Sequence, residues 1–515
     1  MFIYFPLFLI IFFITSHLYN KVQNFPPTLF PTLPIIGHLY ILKNTNHFHR
    51  TLTQISKWLG PVFHLWFGTH PVLVISSPST AEECLKQKDT IFANRPLGLT
   101  SGKTIYYNYT TLVTSPYNDH WRKLRRISTL EILGANRLSA LSYMRTDEVR
   151  LLVLRLLRLW DQDDNTPTLN MRSLFMEVTL NTMMRMIVGK RYYEDCIVSE
   201  EAEMFQEMIT QTPKLSSYTL ISDFIPMLRI FGYEKKIRKN MIELQNNRDK
   251  FMQNLIEQQK KATKNDDNSL SQEKKMKTMI EVLLTLQESE PEYYKDEIIK
   301  GLMLDLIIAG SDTSAGTMEI ALSFLLNHPE VMKKAHSELV NCVGEDRLVN
   351  ESDLAKLPYL HSIIKETLRL LPPGPLIARA SSKETTIGGY RVPIGCMVLI
   401  NTWAIQRDPN TWVEPNKFMP ERFLKNEGLA PRELGFTFLA FGNGRRTCPG
   451  ENLAWRMVGL TLATIIQCFE WERVSEKMVD MSEHLRGLTL SMTNPLLAKC
   501  QPRSTMMKVL SQIRN

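Results

Sequence analysis

The stretch "GLMLDLIIAGSDTSAGTMEIALSFLL", residues 301 to 326, constrains this 515-residue chain more than any other. A run so apolar at helical spacing describes a long helix enclosed in a large core. Yet Gly310, Asp312 and Thr313 sit at its middle, where glycine weakens a helix and short polar side chains compete with its backbone. A buried helix that breaks its own pattern at one place often marks function there. The alternative local reading is a kink, with Thr313 bonding back to a carbonyl.

The rest of the chain supplies a body for that helix. Leu, Met and Ile recur at three- and four-residue steps through residues 139–160, 170–188, 278–326 and 353–371, so helix dominates. "GPVFHLWFGTHPVLVIS" reads as a strand pair around Gly68, and "TTIGGYRVPIGCMVLINTW" as a second small β region. The expected fold class is mainly α with small β regions. The polar stretch from Glu257 to Lys277 reads as an exposed connection, and neither a repeat nor a composition change divides the body.

The N-terminal "MFIYFPLFLIIFFITSHLYN" has no charged side chain before Lys21. It lacks the basic leader and small-residue cleavage site of a secretory signal, so residues 1–21 are expected to be a single transmembrane anchor rather than a signal or a buried helix. The first basic residues follow it, which places the body in the cytosol. Prolines 26, 27, 31 and 34 make residues 22–37 a stiff, non-helical hinge, leaving 38–515 as the catalytic body. The formal charge of +8, without a block of like charges, argues against nucleic acid and suits a membrane surface or an acidic partner. Seven cysteines without a CxxC pair support neither a zinc ribbon nor a disulfide framework.

One cysteine stands apart. In "FGNGRRTCPG", residues 441–450, Gly442, Gly444 and Gly450 allow the chain to fold tightly against a flat ligand and aim amides at a sulfur. A helix beginning after Pro449 favours an anion nearby, and Arg446 is suited to a carboxylate. A lone cysteine among glycines is more often a plain turn. Phe441, Gly444, Arg446, Cys448 and Gly450 together, however, give F-x-x-G-x-R-x-C-x-G, a pattern expected by chance in roughly one chain in ten thousand.

That pattern resembles the haem-binding loop of the cytochrome P-450 monooxygenases, and other motifs stand in the family's order. "KETLRL" supplies E-x-x-R as Glu366 and Arg369, with Arg422 of "PERF" as third partner; "HWRKLRR" supplies W-x-x-x-R as Trp121 and Arg125; "AGSDTS" matches the acid-alcohol pair. The resemblance spans essentially the whole chain. "GKTIYYNYTTLVTSPYNDHWRKLRR", "PYLHSIIKETLRL", "NTWAIQRDPNTW" and "FMPERF" are similar to plant microsomal A-type enzymes of family eighty-one, which includes isoflavone hydroxylases and a lignan methylenedioxy-bridge enzyme. Ile320 and the Ala378-Arg379 pair depart from many relatives, which have Trp and Pro-His there.

The resemblance implies a P-450 fold carrying haem b with iron ligated by Cys448. Phe441, Gly442 and Gly450 would shape the loop, and Arg446, Trp121, Arg125 and Arg379 would meet the propionates, with His120 assisting. Glu366, Arg369 and Arg422 would form a structural ion network, while Asp312 and Thr313 would handle dioxygen and protons. It further implies O2 as co-substrate and electrons from NADPH-cytochrome P-450 reductase, with cytochrome b5 as another donor. The location would be the endoplasmic reticulum membrane and the substrate a lipophilic plant phenolic, terpenoid or alkaloid. Walls of the substrate pocket are expected at residues 103–115, 208–221, 303–313, 373–377 and 492–496. The outcome is hydroxylation or closure of a methylenedioxy bridge. A reductase-independent haem isomerase and an inactive membrane-tethered binding protein are the rival classes.

Overall fold

Near-continuous apolar sequence makes residues 296–327 one unbroken helix, and the rest of the fold is wrapped around it. In chain order the helices that frame the site are α1 (Phe48–Leu59), α2 (Asp119–Ile127), α3 (Ser142–Gln162), α4 (Met171–Val188), α5 (Lys235–Asp266), α6 (Met279–Ser289), α7 (Asp296–Asn327), α8 (Pro358–Leu370) and α9 (Glu451–Cys468). This computed structural model describes residues 20–162, 167–193, 200–216, 220–266, 277–426, 431–486 and 489–514, with Ile11, Thr15 and Leu18. Among them no helix is long and apolar enough to cross a membrane. The anchor expected over 1–21 falls almost wholly outside the described residues.

The central helix α7 begins with Asp296 and Glu297 in its first turn, where carboxylates complement the helix dipole. It ends at His328, before Pro329 opens the next helix, as suits a residue without an N–H. From Ile299 to Leu326 every residue is buried except Ile308, Ala309, Gly310, Asp312 and Thr313. The interrupted pattern in the sequence is therefore an opening in the core. Gly310 lets α4 pack closely: a Cβ at this position would lie 2.7 Å from the Met183 sulfur and would make that flexible side chain move.

A four-stranded sheet lies to one side, built from β1 (Val62–Phe67), β2 (His70–Ile75), β3 (Leu376–Ala380) and β6 (Met397–Asn401), with the hairpin β4 (Thr385–Ile387) and β5 (Tyr390–Val392) between the last two in sequence. The order is β1-β2-β6-β3, with β2 and β6 parallel and the other pairs antiparallel. Both expected β regions are present. Strand β3 matters most for function, because it carries Ile377 and Arg379 to the cavity described below.

Two boundaries differ from the sequence reading. The 278–326 periodicity is two helices, α6 and α7, separated by a turn around Pro291. The stretch expected to be a connection from Glu257 instead continues α5 to Asp266; its Glu, Gln, Lys and Ala residues are strong helix formers, and Phe251, Met252, Leu255 and Ile256 bury the preceding turns. Residues 267–276 are not among those described. The proline-rich segment, in turn, lies against β1: His64 N–H donates to Pro27 O at 2.8 Å, His38 N–H donates to Trp66 O at 2.6 Å, and Trp66 N–H donates to His38 Nδ1 at 2.9 Å. Phe25 stacks on His64 with centroids 5.2 Å apart.

Candidate haem and substrate site

The loop 441–450 folds back on itself so that Cys448 faces a cavity of about 540 Å³. Cys448 N–H donates to Phe441 O at 2.9 Å and Thr447 N–H to Gly444 O at 3.0 Å. Two residues with left-handed backbone, Gly442 (φ 69°) and Gly444 (φ 74°), make the reversal, a conformation costly for other residues. The loop is also held from outside. Arg125 donates to Thr447 O at 2.6 Å, and the Arg445 amide reaches the Asp89 carboxylate at 3.1 and 3.3 Å. Helix α9 starts immediately after, with Gly450 as its N-cap, and its positive end favours the ionised form of a neighbouring sulfur.

Three arginines line the same cavity: Arg95, Arg379 and Arg446. Arg379 is only 2% exposed, and among the described residues no carboxylate forms an ion pair with any of the three. Burial pushes their pKa values down, Arg95 to about 10 against an opposing pull from Asp305, and repulsion by neighbouring arginines adds to burial in lowering Arg446 to about 9 and Arg379 well below its ordinary value. Backbone carbonyls satisfy part of this set: Arg95 donates to Val113 O (3.0 Å) and Ala378 O (2.6 Å), Arg379 to Ala378 O (3.1 Å), and Arg446 to Ala93 O (2.7 Å), Leu112 O (3.3 Å) and Ser115 O. Carbonyls solvate a guanidinium without neutralising it. A buried cationic edge of this kind calls for an anionic ligand.

The helix α7 opening faces the cavity through Ala309, Gly310 and Thr313. Thr313 donates to Ala309 O at 2.7 Å, so the back-bonding considered for it does occur, within an unbroken helix. Asp312 points elsewhere. It pairs with Arg172 and accepts from Thr489 Oγ1 at 2.8 Å, beside a second cavity of about 300 Å³ that shares no lining residue with the first. Arg172 also reaches Glu319 at 3.4 Å.

The remaining expected residues fall in three places. Glu366 and Arg369, both wholly buried, form a two-bond pair at 2.7 and 2.8 Å, and Arg422 joins Glu366 at 3.0 Å. Met419 N–H adds a bond to Glu366 at 2.9 Å, and Arg369 spends its other donors on the carbonyls of Gln406 and Pro415 at 2.8 and 2.7 Å. This network clamps α8 to the segment ahead of the cysteine loop. Trp121 donates its indole N–H to Leu112 O at 3.1 Å and lies under Arg446, whose guanidinium is 4.3 Å from the ring centroid. Trp121 and Arg125 therefore brace the arginine edge and the cysteine loop from behind rather than lining the cavity. His120 is tied to Tyr293 OH (2.9 Å) and Thr110 O (2.7 Å).

Of the expected walls, the segments 103–115, 303–313 and 373–377 contribute, through residues such as Tyr106, Tyr109, Leu306 and Ile377. The described residues of 208–221, and 492–496, do not. Met208 is buried among the helices, and residues 492–496 pack on another part of α7, where Leu496 N–H donates to Glu319 at 3.0 Å and Ser323 Oγ to the Met492 sulfur at 3.2 Å. Sequence reasoning missed Arg95 and Arg172. The lone charge in "FANRPLG" was the available signal for Arg95; only tertiary pairing identifies Arg172.

These residues fit a haem. A soft sulfur faces the cavity, carboxylate-free guanidinium groups stand at its edge to receive two propionates, and the walls are apolar. Among the described residues no cluster of His, Cys, Asp and Glu could hold a bare metal ion.

Comparison with known proteins agrees. Residues 27–499 match the family described as Cytochrome P450. An isoflavone 2'-hydroxylase of Glycyrrhiza echinata is 44% identical over 96% of this chain and 95% of its own length, and an isoflavone 3'-hydroxylase of Medicago truncatula is 45% identical over 94% and 93%. A (+)-piperitol/(+)-sesamin synthase of Sesamum radiatum is 40% identical over 96% and 94%. A zebrafish cytochrome P450 solved with abiraterone has the same fold, with a TM-score of 0.72 at 24% identity over 88% of this chain and 99% of that one. With its cysteine loop, cationic edge and interrupted helix on one cavity, this chain belongs to the cytochrome P450 family of monooxygenases, which use a cysteine-ligated haem, O2 and reductase-derived electrons.

Proposed function

We propose that this protein is a haem-thiolate monooxygenase that hydroxylates a lipophilic plant metabolite, with Cys448 as the iron ligand and NADPH-cytochrome P450 reductase as electron donor, assisted by cytochrome b5. The observation that carries this reading is that Cys448, Arg95, Arg379, Arg446 and Thr313 share one cavity. The haem, when bound, supplies dioxygen activation that a thiolate ligand promotes. The protein supplies the setting. The N-terminal end of α9 lies beside the Cys448 sulfur, a setting that favours a negative charge, and Gly442 and Gly450 leave room beside it. Arg379 and Arg95 would hold the propionates, while Arg446, stacked on Trp121, would fix the edge that receives them.

Thr313 holds its hydroxyl proton at the cavity wall, on Ala309 O, while Asp312, paired with Arg172 beside the second cavity, fixes the orientation of this stretch of α7. Among the described residues no carboxylate or lysine lines the cavity, which suits a neutral, largely aromatic substrate positioned by shape, with Ser101, Thr114, Tyr106 and Tyr109 as its polar contacts. The named activities of the isoflavone-hydroxylating relatives support a phenolic. The sesame relative supports methylenedioxy-bridge closure as the second reading. The apolar N-terminus supports attachment to the endoplasmic reticulum with the body in the cytosol.

The test is the reduced, carbon monoxide-bound spectrum of wild type and Cys448→Ala, followed by reconstitution with reductase, NADPH and 18O2 against flavonoid and lignan panels. Loss of the thiolate-type Soret band in the variant and substrate-dependent 18O incorporation by wild type are expected. An unchanged band, or product formed without reductase, refutes the assignment.

A further inference from the structure

Asp305 on α7 is 4% exposed and belongs to no motif. Neither the cavity nor the ion network uses it. Two turns before Thr313, it accepts the amide of Val113 at 2.9 Å. It lies near two buried cations, Arg248 from α5 and Arg95 from the segment ahead of the 105–115 loop. Lys300, on its own helix, is engaged elsewhere, pairing with Asp249 at 2.7 Å.

What makes this contact consequential is the peptide unit it holds. The N–H that Asp305 accepts and the carbonyl of Leu112 belong to one planar amide. That carbonyl accepts from both Trp121 Nε1 (3.1 Å) and Arg446 Nη1 (3.3 Å), and the next carbonyl, Val113 O, accepts from Arg95 Nε (3.0 Å). A carboxylate bonded to the N–H end polarises the amide and strengthens its carbonyl as an acceptor. The same bond fixes the orientation of the amide plane, and hence where the guanidinium groups point.

We propose that Asp305 is a positioning residue that holds the Leu112–Val113 peptide, and through it Arg446 and Arg95, at the charged edge of the cavity, and so governs retention of the haem. The inference rests on the haem reading above. Burial raises the Asp305 carboxyl to about 7, so its charge changes near neutral pH. The Val113 amide, the Thr111 hydroxyl, Arg248 and the Leu112 amide, in that order, oppose the rise without cancelling it.

The experiment measures haem transfer from the full-length, haem-loaded protein to excess apomyoglobin, for wild type, Asp305→Ala and Asp305→Asn, between pH 6 and 8. Asp305→Ala is expected to release haem about tenfold faster, in the range seen when groups that orient a ligand are removed. Asp305→Asn keeps an acceptor for Val113 without the charge and is expected to fall between. The wild-type rate is expected to rise as pH falls through about 7, with a flat profile for Asp305→Asn. Should Asp305→Ala not fold, the Asn variant and the pH profile carry the test. Rates within twofold of wild type, or the same inflection in Asp305→Asn, overturn the proposal. A wild type without a thiolate-type carbon monoxide spectrum would instead overturn the haem reading, a separable failure.

Discussion

Gly442 and Gly444 adopt nearly the same left-handed backbone in the same loop, yet the structure assigns them different tolerances. At Gly442 an added Cβ meets nothing closer than Ile377 Cδ1 at 3.8 Å; at Gly444 it meets Leu85 O at 2.3 Å and Asp89 Oδ1 at 2.7 Å. Gly442→Ala therefore costs the left-handed strain alone, about 1–2 kcal/mol, partly offset by about 0.4–1 kcal/mol from a stiffer unfolded chain. Gly444→Ala carries the same strain plus overpacking against a backbone carbonyl, about 1–3 kcal/mol. It also displaces the Arg445 amide from the Asp89 carboxylate, and a hydrogen bond to a charged group contributes about 1.5–3 kcal/mol. The difference between the variants is on the order of 3 kcal/mol, a large share of a typical stability of about 5–15 kcal/mol. Each variant is expressed and assayed for haem per polypeptide and for the urea midpoint of Soret loss. Gly442→Ala is expected to lower both moderately, through its backbone strain and the narrowed room beside Cys448, while Gly444→Ala loses most of its haem and unfolds at clearly lower urea. Equal midpoints, or a worse result for Gly442→Ala, would show that the contact with the Leu85–Asp89 segment does not support the loop.

Two further outcomes follow from buried charge. Arg379→Met removes a buried cation that forms no carboxylate ion pair among the described residues and is repelled by Arg95 and Arg446, so the haem-free protein should gain stability while haem release accelerates; calorimetry of the apoprotein and transfer to apomyoglobin measure the two sides, and a destabilised apoprotein contradicts the reasoning. His64, 3% exposed, has its pKa lowered from 6.5 to about 4 by burial. Its contribution to stability is therefore complete above pH 6.5 and is lost as pH falls toward 4, by on the order of 3 kcal/mol. Urea midpoints across that window should fall for wild type and flatten in His64→Phe, which preserves the stack on Phe25.

The parts of the site legible in the sequence were those in which chemistry fixes both residue type and spacing. Glu366 and Arg369 share one helix face because i and i+3 must, and the cysteine loop needs glycine where its backbone turns left-handed. The interruption at 308–313 was legible as a break in apolar periodicity, and the structure places an opening there. What could not be read was direction. Asp312 and Thr313 are neighbours, yet on a helix adjacent residues point about 100° apart, and one faces the large cavity while the other pairs with Arg172. For Trp121 and Arg125 the motif gives proximity, whereas the packing of residues 112–115 and of the cysteine loop gives their present partners, Leu112 O and Thr447 O. Arg95, Arg172 and Asp305 had no local signature, since each acts only through a partner distant in sequence. In the fold, the continuation of α5 to Asp266 was missed because apolar content was weighed above helix propensity.

The proline-rich segment lies along β1, fastened at Pro27 and again at His38. A free chain of about fifteen residues would let its two ends wander by roughly 20 Å. Clamped at both points, it behaves as a bracket rather than a swivel. The chain from Pro27 to His38 therefore moves with the sheet, so any swivel between the N-terminus and the body must lie before Phe25 rather than among the prolines.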